Sequence, residues 1–447
     1  MYNALLYNQQ EQQRQKQDPS LRIPERNALK VQEVTEGLAF PTSMAFLDGN
    51  NLLVLEKNGQ VRLISNGILQ KQPILTLSVN TTAERGLLGI ATLRRDDGSS
   101  SNSNNHIHNP KAIKSDINTS EKIVNKKATT TKTIAATTSN ITHYEVFLYF
   151  TQSKPGEPLG NRVYRYDWNE QKHLLSNPDL LLDLPAMPGP YHNGGKMVIG
   201  PDHYLYVVIG NLNTGDGLLQ NNKHGKEPDD TSVILRIKPN DGSAAPKNPF
   251  INDTNSAMRK YYAYGIRNSF GMTFDPITGY LWDTENGEAT YDEVNLVKPG
   301  FNSGWYQVMG PMSRSNVTER NLVNFRGSHY ANPVFSWHNC IGVTDMEFLK
   351  SSKLGQKYTN NIFVGDINNG NLYYFELNKT RTGFRFDPNT IQRSLTDNVA
   401  DNKDEVSEIT FGTGFGGITD IKTGPDGYLY ILSYGNGSLY RIGPAQQ

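Results

Sequence analysis

Gly424-Pro-Asp-Gly-Tyr-Leu-Tyr-Ile-Leu432, followed by Ser438-Leu-Tyr-Arg-Ile442, carries the pattern on which the fold turns. Pro-Asp-Gly is turn chemistry: proline presets one backbone angle, the aspartate side chain bonds its own backbone, and glycine accepts the reversed geometry. The run Tyr428–Leu432 is aromatic and branched, as strands are, and a second turn and strand follow directly. The same turn–strand–turn–strand unit recurs along the chain. It appears at Phe46–Glu56 with Gly59–Ile64, at Val146–Phe150 with Arg162–Tyr166, and at Tyr204–Ile209 with Ser232–Ile237. It returns at Phe274–Trp282 with Asp292–Val297, and at Asn361–Asp366 with Asn371–Leu377. Six pairs at irregular spacing, with few segments of helical period, indicate radial repetition of small sheets. The expectation is an all-β, six-bladed β-propeller of four-stranded antiparallel sheets over residues 29–443, closed by an N-terminal strand near residues 30–46.

Two segments stand outside the repeat. Residues 1–28 are polar and read as a disordered tail. Residues 96–142 are dominated by Ser, Asn, Thr and Lys and read as a low-complexity insertion within a blade, too poor in apolar surface to order itself. Lysine plus arginine equals aspartate plus glutamate at 44 each, so no basic field is available for nucleic acid. No apolar run reaches the length of a membrane span. Cys340 is the only cysteine, which excludes an intrachain disulfide and a cysteine-based zinc site.

Chemistry is carried by three stretches. Tyr191-His-Asn-Gly-Gly-Lys196 places a histidine on a glycine-rich loop before a strand, a place for a general base. The glycines are expected to leave room there for a flat ligand; a structural histidine beside a tight turn is the other reading. Tyr264-Gly-Ile-Arg-Asn-Ser-Phe-Gly-Met-Thr-Phe274 offers the planar donor fork of Arg267, suited to carboxylates or quinone oxygens, or else to bracing one blade against the next. Thr284-Glu-Asn-Gly-Glu-Ala-Thr-Tyr-Asp-Glu-Val-Asn295 is an acidic turn of the hard oxygen type that calcium prefers, without EF-hand spacing.

Glu84-Arg-Gly-Leu-Leu-Gly-Ile-Ala91, His192-Asn-Gly-Gly-Lys196, Gly265-Ile-Arg-Asn268, Asp292-Glu-Val-Asn-Leu-Val-Lys-Pro-Gly-Phe-Asn-Ser-Gly-Trp305 and Gly424-Pro-Asp-Gly-Tyr-Leu-Tyr430 occur in this order. Together they resemble the glucose/sorbosone dehydrogenase family, soluble aldose dehydrogenases that use pyrroloquinoline quinone; the likeness spans roughly residues 30–443. The resemblance implies a six-bladed propeller, a sugar substrate, pyrroloquinoline quinone with Ca2+ as cofactors, and an external electron acceptor. It implies that His192 takes the proton of the sugar's anomeric hydroxyl, and that Glu84, Arg267 and Asn268 meet the quinone. Calcium would be bound by the backbone carbonyls of Gly287 and Glu288. It also implies an extracytoplasmic location, although the first 28 residues hold no apolar signal core.

The chain departs from the family pattern at three places. The aspartate that assists the histidine is Asn211 here, which can orient an imidazole but not neutralise its cation. A blade-five lysine is replaced by Asn368. The Arg-X-Arg that grips the quinone carboxylates reads Gly416-Gly-Ile-Thr-Asp420, so Ile418, Thr419 and Asp420 stand where cations are expected, and Lys422 is left as the nearby positive charge. The alternative reading is a non-redox propeller that binds a glycan or protein and has lost the quinone clamp.

Overall fold

Short runs of apolar and aromatic residues build the fold, and in four of the sheets an aspartate organises the turn between two of them. In the computed structural model, which describes residues 18–22, 28–95, 143–156, 159–389 and 391–445, Asp48 Oδ1 accepts from the backbone of Asn50 and Asn51. Asp202 and Asp426 do the same for Tyr204 and Tyr428, and Asp275 for Ile277. These side chains imitate a backbone turn and so release the chain into the next strand. The strands Asn51–Glu56, Leu205–Ile209 and Val233–Ile237 are buried at every position rather than alternately, because sheets pack on both of their faces.

The architecture is an all-β propeller arrangement. The strands form six sheets, whose innermost strands are Pro41–Phe46, Leu87–Arg95, Met197–Ile199, Gly271–Phe274, Val343–Phe348 and Ile418–Thr423. Hydrogen bonds link each sheet to the next. Thr42 Oγ1 donates to Leu87 O at 2.7 Å, Tyr149 Oη to Asn193 O at 2.8 Å, and Asn211 N to Arg267 O at 2.9 Å. Thr284 Oγ1 donates to Thr344 O at 2.5 Å, Thr344 Oγ1 to Ile418 O at 2.6 Å, and Thr419 Oγ1 to Pro41 O at 2.9 Å. The strand Leu29–Thr35 pairs antiparallel with Ser438–Pro444, so the N-terminal strand completes the last sheet and covers its open edge.

Two expectations need correction. The sheets are not uniformly four-stranded: two have four strands, three have five and one has six. The additions are short edge segments such as Phe301–Asn302 and His329–Tyr330, which pair in parallel and satisfy backbone groups an open edge would leave unpaired. The tail expectation also fails in part. Ser20–Leu21 forms a strand against Thr410–Thr413, because Leu21 packs into a cluster with Phe411 and Phe415. The insertion at 96–142 lies outside the described residues. The described residues up to Leu93 and from Tyr144 onward form one compact unit. Among the described residues no helix is long and apolar enough to cross a membrane.

Candidate active site

A cavity of about 680 Å³ opens where the N-terminal ends of the innermost strands converge. Its lining follows a rule of the repeat. Thr42 and Ser43, Glu84, His192, Arg267 and Asn268, Val343 and Thr344, and Thr419 lie at or just before innermost strands, one set from each sheet. A second group comes from the hairpins between the second and third strands: Lys57, Gly287 and Glu288, Asn368, and Tyr434. Function collects at this rim because loops can vary there while the strands beneath hold position.

His192 is buried and sits at φ 61°. Its backbone N–H donates to Glu84 Oε2 at 2.6 Å, and its ring Nδ1 lies 2.5 Å from Asn211 Oδ1. The Asn211 amide is oriented by its own donation from Nδ2 to Thr214 O. Its oxygen must therefore face the ring, so Nδ1 carries the proton and Nε2 is the acceptor. Burial pushes the His192 pKa down to about 3, and the Arg267 charge adds to this. The imidazole is neutral at physiological pH, as a base must be.

The glycines after His192 are required by packing behind the histidine. A Cβ on Gly194 would meet Val208 O at 2.7 Å, and one on Gly195 would meet Leu88 Cβ at 2.9 Å. Gly195 thus permits close approach of the neighbouring sheet and Gly194 close approach of the adjacent strand of its own sheet, while Gly194 also lines the cavity. Gly210 acts similarly: its missing side chain lets His192 O and Arg267 O approach within 2.6 Å and 2.5 Å of where a Cβ would stand.

Glu84 accepts from His192 N and, at 3.1 Å, from Asn268 Nδ2. Burial raises its pKa, against the pull of these bonds and of Arg267. Arg267 is held from three sides. Its backbone N–H donates to Glu285 Oε1 at 2.6 Å, its Nη1 to Asn286 O at 2.8 Å, and its guanidinium lies 5.1 Å from the Trp305 ring centre. Arg267 Nε and Asn268 Oδ1 are buried without a partner. One donor and one acceptor in the cavity wall thus await a ligand. Gly287 and Glu288 also line the cavity, and their loop is fixed by Asp292, whose Oδ1 accepts from Gly287 N at 3.0 Å. The other Asp292 oxygen accepts from the backbone of Ile341, Gly342 and Val343. Among the described residues no group of three or more His, Cys, Asp or Glu side chains is arranged to hold a metal.

Lys422 is not where a cofactor cation should be. It lies outside the cavity lining, with Nζ 2.7 Å from Asp420 Oδ1 and 3.1 Å from Asp345 Oδ2. The strand is irregular between Ile418 and Asp420: Ile418 packs with Ile421 in the apolar core, Asp420 and Lys422 lie together in an ion-pair cluster with Asp345, and of this stretch only Thr419 lines the cavity. A lysine that does line the cavity at this cluster is Lys196, to which the sequence assigned no role. Its Nζ lies 2.7 Å from Asp345 Oδ1 and 3.0 Å from Asp420 Oδ1. Burial opposes ionisation of Asp420, yet Lys196 and Lys422 hold it well below the ordinary range; burial raises Asp345 to about 7. Ile367, Asn368, Thr419 and Tyr434, which line the cavity from two successive sheets, carry no charge. Across the whole lining Lys57, Lys196 and Arg267 are balanced by Glu84, Glu288 and Asp292.

The Glucose / Sorbosone dehydrogenase family profile matches residues 102–441. The chain belongs to that family, and so to the sugar-oxidising oxidoreductases. It is 27% identical over 266 residues to the aldose sugar dehydrogenase YliI of Escherichia coli, an alignment covering 58% of this chain and 62% of that protein. It is 33% identical over 162 residues to quinoprotein glucose dehydrogenase B of Acinetobacter calcoaceticus, covering 33% of this chain and 32% of the relative. The fold matches the pyrroloquinoline-quinone-bound aldose sugar dehydrogenase of Streptomyces coelicolor with a TM-score of 0.61 at 21% identity, over 94% of this chain and 99% of that one.

Proposed function

We propose that this chain oxidises the anomeric hydroxyl of an aldose, or a related sugar alcohol, with pyrroloquinoline quinone and calcium in the cavity, and passes the electrons to an external acceptor. The observation that carries the reading is the neutral, tautomer-fixed His192 beside the unpartnered Arg267 Nε and Asn268 Oδ1. We also infer that the six sheets are the six blades of one closed propeller. The hydrogen bonds that link successive sheets, and a cavity lined from all six, support this count.

The residues fit the quinone on one side. Arg267 Nε supplies a donor and Asn268 Oδ1 an acceptor, Glu84 orients Asn268, and the Gly287 and Glu288 carbonyls are hard oxygen donors of the kind calcium takes. When bound, the quinone supplies the two-electron acceptor and calcium the Lewis acid for it. His192 does the protein's part of the chemistry. Its Nε2 accepts the hydroxyl proton, Asn211 holds the tautomer that permits this, and Arg267 fixes the charge environment beside it. The buried floor under the ring limits competing water. Loading the purified protein with quinone and calcium, then supplying aldoses and an artificial dye acceptor, tests the reading. Dye reduction that requires both additions supports it; quinone that binds without any aldose-dependent reduction refutes it and leaves the glycan-binding propeller in its place.

Asn211 makes a separable prediction. A carboxylate at this position stabilises the imidazolium, so Asn211→Asp should raise the His192 pKa from its low value toward the ordinary one. The acid limb of the rate profile should then move to higher pH, with the base stronger at neutrality. An unchanged pH profile in this variant would show that the 2.5 Å contact does not set the base.

A further inference from the structure

We infer that Phe40 and Tyr434 form a stacking shelf at the cavity mouth for the second ring of an oligosaccharide. This rests on the sugar-oxidising reading of the cavity below it. Tyr434 lines the cavity, and the Phe40 ring lies 5.2 Å from the Tyr434 ring, tilted by 45°. Phe40 is 50% exposed, although the residues after it, Pro41 and Ser43, are buried. Its backbone sits at φ 49°, a region that bulky side chains avoid. That conformation is enforced on both sides. Leu38 N donates to Gly437 O at 3.0 Å, Ala39 N to Glu56 Oε1 at 2.9 Å, and Lys57 N to Phe40 O at 3.1 Å. An aromatic ring is thus held rigidly in water at the rim, where burial would ordinarily be favoured and no core demands it.

The chemistry of the substrate says what such a ring would meet. An aldose oxidised at its anomeric carbon must present a free reducing end. In an oligosaccharide, the reducing ring enters the cavity and the next ring, joined through another hydroxyl, is left at the mouth. The C–H face of a pyranose is apolar and weakly positive, a match for the negative face of an aromatic ring, while its hydroxyl edge seeks donors. Lys57, which lines the cavity and whose backbone is bonded to Phe40, supplies a donor on this side. The two rings carry no charge, and the Lys57 ammonium beside them is already bonded to Thr81 O at 2.8 Å, so the shelf suits a neutral ring.

The test compares cellobiose with glucose, by calorimetry on protein held with reduced pyrroloquinoline quinone and calcium. Wild type should bind cellobiose about three- to tenfold more tightly than glucose. Phe40→Ala should abolish the difference without changing glucose affinity, and Phe40→Trp should restore it. Equal affinities for the two sugars in wild type would overturn the shelf. So would a Phe40→Ala variant that loses quinone affinity instead of disaccharide preference. Selective cellobiose binding without any sugar oxidation would sustain the shelf and sink the redox reading, so the two claims fail separately.

Discussion

Replacing His192 with asparagine is expected to slow sugar oxidation by about 10²–10⁴-fold while leaving the protein folded. Asparagine is the suitable replacement because position 192 sits at φ 61°, which asparagine tolerates better than alanine does. The neighbouring scaffold does not depend on the ring: the backbone N–H still reaches Glu84, and Asn211 keeps its bond to Thr214. What disappears is the ring acceptor. Rate assays with loaded protein, paired with thermal melts, check the result. A variant that melts like wild type and oxidises sugar at an unchanged rate would remove His192 from the mechanism. The low pKa has a second consequence. Because the folded imidazole resists protonation while an unfolded one titrates near 6.5, this residue favours folding above that pH. Its contribution is lost progressively as pH falls from there toward about 3.

Thr419→Arg is expected to tighten quinone binding by about ten- to a hundredfold. A charge-assisted bond to a carboxylate contributes about 1.5–3 kcal/mol, and each 1.4 kcal/mol is tenfold. Thr419 is the position to change because it faces the cavity, whereas Ile418 and Asp420 are fully buried beside it. The wild-type wall there is neutral, so the protein should hold a tricarboxylate quinone weakly and with strong dependence on calcium, the largest positive charge available. The variant should bind more tightly and lose less affinity to a chelator. Tight, chelator-insensitive binding by wild type would contradict this account of the cradle.

The repeat made the fold legible, because a turn, a largely apolar strand, a second turn and another strand recur in all six units. Short edge strands such as His329–Tyr330 were not visible, since two-residue pairings leave no periodic trace. In the site, His192, Glu84, Arg267, Asn268, Gly287 and Glu288 all line one cavity, and Asn211 meets His192 as its position suggested. Lys422 misled because a charge count does not show where a side chain is held: its ammonium is taken up by Asp345 and Asp420, and of this strand only Thr419 lines the cavity. Lys57 and Tyr434 were within reach of sequence reasoning. They occupy the same hairpin in their units as Gly287 does in its own, so aligning the repeats against one another would have found them. Lys196 was hidden differently. Its motif was plain, but its pairing with Asp345 and Asp420 joins residues more than 140 positions away and exists only once the sheets close.

Anaerobic addition of glucose to the quinone- and calcium-loaded protein, followed through the absorbance of the quinone, tests the central claim most directly. The account predicts a single-turnover reduction of the cofactor in wild type that is slowed by orders of magnitude in His192→Asn. A cofactor that binds in the cavity, and stays oxidised with glucose and every other aldose tried, would contradict it.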